Sequence, residues 1–242
     1  DTCKEACKIP TAEMVLLDGS ASKQKFEISD SGFFTPGNEI KISFRLDDKA
    51  MNPLFQGIVI KQGLRAGKEG SFLTIELVDK AFAMTTERKS MVFRKQDDSS
   101  VIRKLIKDNG VKAGKVFTTG VKHAELVQFQ STDWDFMLTR AEANGLVVFV
   151  DDGKVTVSLP NPGKAAKHTF EYGINELYDI EIEADAREQV GKVTALGWDI
   201  KTQKLMPPQP GAESKQAPGR LKGADLGKKV GAKECVLVSG TA

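Results

Sequence analysis

Regular alternation of apolar and polar residues is the feature that most limits what this chain can fold into. Every second residue is apolar in three segments, 40–46, 72–78 and 177–183. A period of two places those apolar side chains on one face of an extended strand and the polar residues on the other. Several short strands of this kind, with turn residues between them, predict a barrel or a sandwich.

The middle of the chain changes to a helical period. Residues 97–100 are short polar residues that can cap the start of a helix. The apolar positions over 101–106 follow at helical spacing, and Gly110 is expected to end the helix. Thr132 and Asp135 form a capping box that opens a second helix. We therefore predict two helices within a mainly β chain.

Glycine marks two turns. The segment 146–159 contains an Asp-Gly pair between two apolar runs, which predicts a β-hairpin. Glycines over 63–70 mark a second turn, and Lys61, Arg65 and Lys68 lie beside them. These cations could hold an anion, or the segment is a plain hairpin loop. The glycine spacing matches neither a P-loop nor a dinucleotide-binding fingerprint.

Composition and charge indicate an ordinary globular protein and disfavour one class of partner. The chain has 242 residues, with 35 Lys and Arg against 33 Asp and Glu, so the formal net charge is +2. Such a balance disfavours a nucleic-acid partner. Hydrophobic residues make up 40% and charged residues 28%, which is ordinary globular usage. The length fits one large domain or two small ones.

Metal-ligating residue types are scarce. The two histidines, His123 and His168, are expected to have surface or packing roles. The three cysteines, Cys3, Cys7 and Cys235, lack zinc-site spacing. We expect reduced thiols, and a disulfide between Cys3 and Cys7 stays open. We predict no metal, no cofactor and no catalytic residue.

Two aromatic motifs leave alternatives open. Asp133 and Asp135 flank Trp134, as carboxylate pairs do in some glycosidases, but they also occupy a first helical turn, where the helix dipole favours negative charge. Trp198 and Asp199 follow a predicted strand. The motif is either a packing anchor or a platform for a ligand. A cell-wall hydrolase and a glycan-binding module are therefore alternatives to a non-catalytic, interaction-making protein.

A resemblance to a known family rests on the order of several segments. The most specific is 126–145, which contains Thr-Asp-Trp-Asp, and the others are 8–19, 34–42, 55–60 and 197–199. Together they resemble the hub part of VgrG-type spike proteins of type VI secretion and contractile injection systems. The same part is similar to phage baseplate hub proteins and late control protein D. The structural signature that carries the resemblance consists of Thr132, Asp133, Trp134, Asp135, Arg140, Asn144, Gly145, Gly197, Trp198 and Asp199.

The resemblance implies a fold that is mainly β with a smaller α/β portion, in two barrel-like domains of the phage tail hub type. It divides the chain into a first hub β-barrel at 1–92 and a helix-containing middle segment with a hairpin at 93–166. Residues 167–242 then supply return strands, a Pro-rich loop and part of the second barrel. The barrels of such hubs can be discontinuous in sequence.

The resemblance also implies a mechanical function without catalysis. The chain would be the structural hub of a homotrimeric spike that joins a hexameric tail tube to a puncturing needle. Its partners would be copies of itself, the tube protein, baseplate proteins, the needle or tip and effector cargo. We expect assembly in the bacterial cytoplasm, and ejection with the tube or incorporation in an extracellular phage tail-like particle. A tailed-phage baseplate hub is the alternative within the same resemblance, and the needle is expected in a longer chain.

Overall fold

The fold is mainly β, as the alternating segments predict. The computed structural model describes residues 1–20, 22, 24–45, 50–68, 70–161, 164–165, 169–174, 177, 179–183, 185–187, 189–199, 202–211, 222–231 and 234–239. The chain divides into two compact units, Asp1–Pro160 and Asn161–Ala242. Predicted boundaries at residues 92 and 166 stay predictions. His168 and most of the Pro-rich loop lie outside the described residues.

The first unit contains strands and helices in alternating groups. In chain order its elements are β1 (Thr2–Cys3), β2 (Thr11–Leu17), a 3-10 helix (Ser29–Ser31), β3 (Glu39–Phe44), β4 (Asn52–Gly67), β5 (Gly70–Val78), a 3-10 helix (Lys80–Thr85), β6 (Arg88–Asp97), α1 (Asp98–Asp108), β7 (Lys112–Val116), β8 (Lys122–Thr132), α2 (Asp133–Glu142), β9 (Val147–Asp151) and β10 (Lys154–Ser158).

Residues 40–44 of the first alternating segment lie in β3, and the whole of 72–78 lies in β5. Leu46 lies outside the described residues. Both strands belong to an antiparallel sheet in the order β1-β2-β5-β4-β3. The sheet curls as a half-barrel. Its inner face is the apolar side of the alternation, and Leu73, Ile75 and Leu77 are buried there. Each buried side chain of this size stabilises the fold by roughly 1.5–3 kcal/mol. The first core consists of Ala12, Phe34, Ile40, Phe55, Val59, Leu73, Ile75 and Leu77.

The two predicted helices pack into a second core. In α1 the helical stripe 101–106 is buried, and in α2 Trp134 and Met137 are buried. The helices pack with the two-stranded sheet β6–β8, called here the ribbon, and with the sheet β7-β10-β9. In that sheet β10 runs parallel to β7 and antiparallel to β9.

The predicted hairpin 146–159 is confirmed as β9 and β10. Its turn residues Asp152 and Gly153 have φ values of 46° and 73°. Two successive positive φ angles are typical of a type I′ turn, whose twist matches that of the flanking strands. The Asp-Gly pair therefore forms the turn that the sequence indicates.

The second unit is built around one strand. Its described elements are β11 (Val193–Asp199), β12 (Lys204–Leu205), β13 (Gln209–Pro210), α3 (Gly223–Lys229) and β14 (Cys235–Ser239). Strand β11 pairs antiparallel with β12 and β13 and parallel with β14.

The strand predicted at 177–183 is not formed among the described residues. Leu177 makes only an isolated bridge with Tyr172, and residues 179–183 belong to no strand. Ile182 is 83% exposed. Alternation indicates which face a strand could bury, but a ladder also needs a neighbouring strand. The described residues of this unit supply none here, so the prediction is wrong for this chain.

Candidate functional site

Two buried aspartates join the helices of the first unit. Asp98 is the first residue of α1 and Asp133 is the first residue of α2, and each is 2% exposed. An isolated carboxylate is too costly to bury, so each must be paired and hydrogen-bonded. We call the two sets of contacts the Asp98 clamp and the Asp133 clamp.

The Asp98 clamp is made by α2 and its C-terminal end, together with β8. Nε of Arg140 donates to Oδ1 of Asp98 at 2.6 Å, and Nη2 donates to Oδ2 at 3.2 Å. Nδ2 of Asn144 donates to Oδ2 at 2.9 Å, and Nε2 of His123 lies 3.0 Å from the same oxygen. The guanidinium therefore holds the carboxylate with a forked, charge-assisted pair of hydrogen bonds.

The Asp133 clamp is made by the end of α1 and by the ribbon. Nζ of Lys89 in β6 and Nδ2 of Asn109 donate to Oδ2 of Asp133 at 2.8 Å and 2.7 Å. Nε2 of Gln128 in β8 donates to Oδ1 at 2.9 Å. Asn109 is the residue that caps the C-terminus of α1. The first residue of each helix is thus held by side chains from the C-terminal end of the other helix.

Both clamps keep their carboxylates charged. Burial raises the pKa of Asp98, but the hydrogen bonds from Arg140, Asn144 and His123 outweigh it and leave the pKa below its ordinary value. At Asp133 burial again raises the pKa, and the hydrogen bonds from Gln128 and Lys89 reverse the shift and lower it. A carboxylate with a lowered pKa is a poor general acid or base near neutral pH.

The predicted helix caps are confirmed. The side chain of Asp97 accepts a hydrogen bond from the backbone N of Ser100 at 2.9 Å. Oγ1 of Thr132 accepts one from the backbone N of Asp135 at 3.0 Å, and it donates to Oδ2 of Asp135 at 2.7 Å. Each cap satisfies an amide that the first helical turn leaves without an intrahelical partner.

The signature residues around α2 have structural contacts. Trp134 is 6% exposed and belongs to the second core together with Met137, so it is not an open platform for a glycan. Asp133 is buried in its clamp, whereas Asp135 is an exposed residue of the cap. The two carboxylates therefore do not face a common cleft, which a hydrolase would need. Gly145 follows α2 with a φ of 63°.

The motif 197–199 lies in the second unit, at the end of β11. Trp198 pairs with Leu205 of β12 and is partly exposed. Oδ2 of Asp199 accepts a hydrogen bond from Oγ1 of Thr202 at 2.7 Å. A Cβ added to Gly197 would meet Sδ of Met206 at 2.8 Å, so glycine permits close packing of that side chain.

Several residues of the clamps were not identified from the sequence. Lys89, Asn109 and Gln128 carry no local signal, and His123 was assigned only a surface or packing role. The available signal was the repeated pairing of a cap with an aspartate, at Asp97 with Asp98 and at Thr132 with Asp133. Among the described residues, no group of three or more His, Cys, Asp or Glu side chains could hold a metal ion.

The ribbon has two different faces. Phe93 and Leu126 point into the second core, whereas Val92 and Val127 pair on the opposite, exposed face. Phe129 is on that exposed face as well, and it is 76% exposed. A cluster of large exposed apolar side chains on one sheet face is typical of a surface that contacts another protein.

The fold is that of phage tail hub-like proteins. The 43 kDa tail protein of prophage MuSo2 from Shewanella oneidensis is similar, with 13% identity and a TM-score of 0.57, over 98% of this chain and 67% of that chain. A tail protein from Neisseria meningitidis MC58 has 12% identity and a TM-score of 0.57, over 96% and 67%. The chain thus spans about two thirds of the length of both proteins.

Sequence comparison places the chain in a family. Residues 2–242 match the model described as the Alg8 N-terminal domain, so the chain belongs to the Alg8 N-terminal domain family. Among curated proteins none matches it.

A chain of the Francisella PdpA–VgrG complex in its lidded form is a further structural match, with 12% identity and a TM-score of 0.49, over 98% of this chain and 35% of that chain.

In the part of the chain that the structure describes, no helix has the length and apolar character needed to cross a bilayer.

Proposed function

We propose that this chain is the structural hub of a homotrimeric spike, which joins the tail tube to the puncturing needle of a contractile injection or type VI secretion system. The hub transmits force between tube and needle and performs no catalysis. Its partners are further copies of itself, a hexameric tube protein, baseplate proteins, and a needle or tip with effector cargo. It is assembled in the bacterial cytoplasm and leaves with the tube or within a phage tail-like particle.

The observation that carries this proposal is the tail-protein fold over 98% of the chain. A fold supports many functions, and function has to be argued from the surfaces it presents. The exposed face of the ribbon, with Val92, Val127 and Phe129, is suited to burial against another subunit. The clamps support the mechanical role, because they fix both ends of the helix pair behind that ribbon.

Native mass measurement of the full-length protein tests the proposal. We expect a trimer that persists on dilution, because obligate interfaces commonly bury more than about 2,000 Å². A monodisperse, folded monomer at low concentration would contradict the trimeric hub.

Charge substitutions on the ribbon test whether its exposed face forms the subunit contact. Val127→Asp combined with Phe129→Asp is expected to release folded monomers, since two carboxylates would be buried without partners. Lys115→Asp, on an exposed position of β7, is the matched control and should stay trimeric. A trimeric mass for both variants would place the subunit contact elsewhere.

A baseplate hub of a tailed phage is the second candidate, and the similarity to a prophage tail protein favours it. The two candidates share one fold and differ in the particle that contains it. Electron microscopy of particles recovered with the tagged chain separates them. A capsid-bearing tail indicates the phage hub, and a capsid-free contractile sheath indicates the injection system.

A further inference from the structure

A ring of three identical subunits needs two different contact surfaces on each copy. In a two-fold dimer one patch meets itself, whereas a cyclic trimer closes by head-to-tail contacts, in which one surface of each copy meets another surface of the next. The exposed face of the ribbon, with Val92, Val127 and Phe129, supplies one such surface. The proposed trimer therefore requires a second surface elsewhere on the chain.

A second apolar surface lies on the outer face of the curled sheet. Val15 and Leu17 in β2 are 56% and 72% exposed, because the residues that alternate with them point into the first core. Val15 lies opposite Thr74 of β5, and Leu17 lies opposite Phe72. We call these four residues the sheet patch, since opposed residues share one face of a sheet. Large exposed apolar side chains on such a face are typical of a surface that contacts another protein.

The sheet patch continues into a surplus negative charge. Two residues before Val15, the exposed Glu13 lies opposite Glu76 of β5 on the same face. Glu76 is already paired with Lys61 of β4. Among the described residues, none forms an ion pair with Glu13, so one carboxylate at this end of the patch lacks a counter-charge.

The ribbon ends in a surplus positive charge. Arg88 is the exposed first residue of β6, and its Nη1 donates to the backbone oxygen of Gln130, the residue after Phe129, at 3.0 Å. No described carboxylate pairs with Arg88, whereas Arg94 further along β6 is paired with Glu125 at 3.1 Å. The ribbon thus has the same arrangement as the sheet patch, apolar side chains followed by an unmatched charge, but with the opposite sign.

We propose that the exposed face of the ribbon packs on the sheet patch of the next copy in the trimer, with Arg88 of one subunit beside Glu13 of its neighbour. The assignment rests on the proposed trimeric hub and names the surface that receives the ribbon. Burial of the apolar side chains would supply affinity, and the charge pair would fix the register of the two faces.

A second copy of this chain is the occupant that fits both surfaces. A head-to-tail contact brings apolar residues onto apolar residues and a guanidinium to a carboxylate, and a closed ring covers both surfaces on every subunit. Contact between two ribbons would leave the sheet patch exposed and would stop at a dimer.

Charge substitutions on the sheet patch test the assignment by native mass measurement of the full-length protein. Val15→Asp combined with Leu17→Asp is expected to give folded monomers, since the two carboxylates would be buried without partners. Lys112→Asp combined with Lys115→Asp, on exposed positions of β7, is the matched control and should stay trimeric. Circular dichroism confirms that each variant keeps its fold.

The masses separate failure of this assignment from failure of the hub. A natural chain that is monomeric contradicts both. A natural trimer whose Val15→Asp, Leu17→Asp variant is still trimeric overturns the sheet patch alone. A dimeric mass for that variant would show contact between two ribbons, and it would overturn the head-to-tail arrangement.

A mixture of the two disrupted variants tests the head-to-tail arrangement directly. The Val15→Asp, Leu17→Asp variant keeps an intact ribbon, and the Val127→Asp, Phe129→Asp variant keeps an intact sheet patch. Mixing them should give a heterodimer, because one complete contact can form and the ring cannot close. A mixture that stays monomeric at the highest soluble concentration would overturn the pairing of these two surfaces.

Charge reversal tests the register. Glu13→Arg and Arg88→Glu, made singly, each bring like charges together and should raise the trimer dissociation constant at least about tenfold in sedimentation equilibrium. The two reversals combined in one chain should restore the dissociation constant to within about threefold of the natural value. Glu13→Arg combined with Lys112→Glu is the control and should not restore it. A combined reversal no tighter than either single variant would overturn the pairing of Arg88 with Glu13.

Discussion

The two clamps begin from similar local sequences and end with different partners. In each, a capping residue precedes an aspartate that opens a helix. Asp98 receives a forked guanidinium from Arg140, whereas Asp133 receives a single ammonium from Lys89, whose side chain is 25% exposed. In the Asp133 clamp, Oε1 of the buried Gln128 has no hydrogen-bond partner among the described residues. We therefore expect the two aspartates to contribute differently to stability, because other parts of the chain supply their partners.

Acidification is expected to have the largest effect, because it acts at once on both clamps and on Asp18 and Asp97, whose pKa values are also lowered in the folded protein. The pKa of Asp98 and of Asp133 is lower in the folded protein than the ordinary value near 3.9. Their contribution to stability is complete above that ordinary value and is lost as the pH falls through it towards the folded-state pKa. Urea unfolding between pH 7 and about 3 should show a steep loss of free energy below about pH 4.

The control for acidification is the double variant Asp98→Asn with Asp133→Asn. Its free energy of unfolding should fall less steeply as the pH is lowered. Parallel curves for this variant and the natural chain would assign the acid sensitivity to other carboxylates. Asp97 is the first to consider, because the hydroxyl of Ser99 lowers its pKa.

Asp98→Asn should cause the larger loss among single substitutions. It leaves the partly buried guanidinium of Arg140 without its counter-charge, which costs roughly 3–5 kcal/mol. The unfolding free energy in urea measures it. Asp108→Asn removes an exposed pair with Lys104 and should cost about 0.3–0.5 kcal/mol. Similar losses for both variants would contradict the clamp.

Asp133→Asn is expected to cost less, roughly 2–3 kcal/mol, because the freed Lys89 ammonium can turn towards water. The same unfolding measurement ranks the two clamps. A double-mutant cycle with Lys89→Gln should give a smaller coupling energy than the cycle of Asp98→Asn with Arg140→Gln. The reverse order would show that the forked contact does not decide the difference.

The caps are expected to have the smallest effects. Asp97→Ala removes hydrogen bonds to Ser99 and Ser100 and should cost about 2 kcal/mol, and Thr132→Ala about 1 kcal/mol. Thr132→Ser keeps the hydroxyl and serves as the control. Thermal unfolding checks both. A loss at Thr132→Ser equal to that at Thr132→Ala would assign the effect to the methyl group instead of the cap.

Local patterns predicted most of the elements in the first unit. Alternation located β3 and β5, the caps located the starts of α1 and α2, and an Asp-Gly pair located the hairpin turn. The clamps could not be predicted from the sequence, because Arg140 and Asp98 are 42 residues apart along the chain and Lys89 and Asp133 are 44 apart. No short-range pattern encodes pairs at such separations.

The alternating segment 177–183 shows the same limit from the other side. It has the pattern of β3 and β5, yet it forms no strand among the described residues. In β5 the apolar face is buried, in β3 Ile40 is buried, and both strands have neighbours. The pattern alone could not distinguish the two cases.

The sequence by itself determined the type and the ends of many elements, because hydrophobic period, caps and turn residues act within a few positions of each other. Only the tertiary structure decided which carboxylates are buried, which cations hold them, and which faces and edges stay open. Those outcomes depend on contacts between distant segments, and their energies depend on burial and on the geometry of the partners.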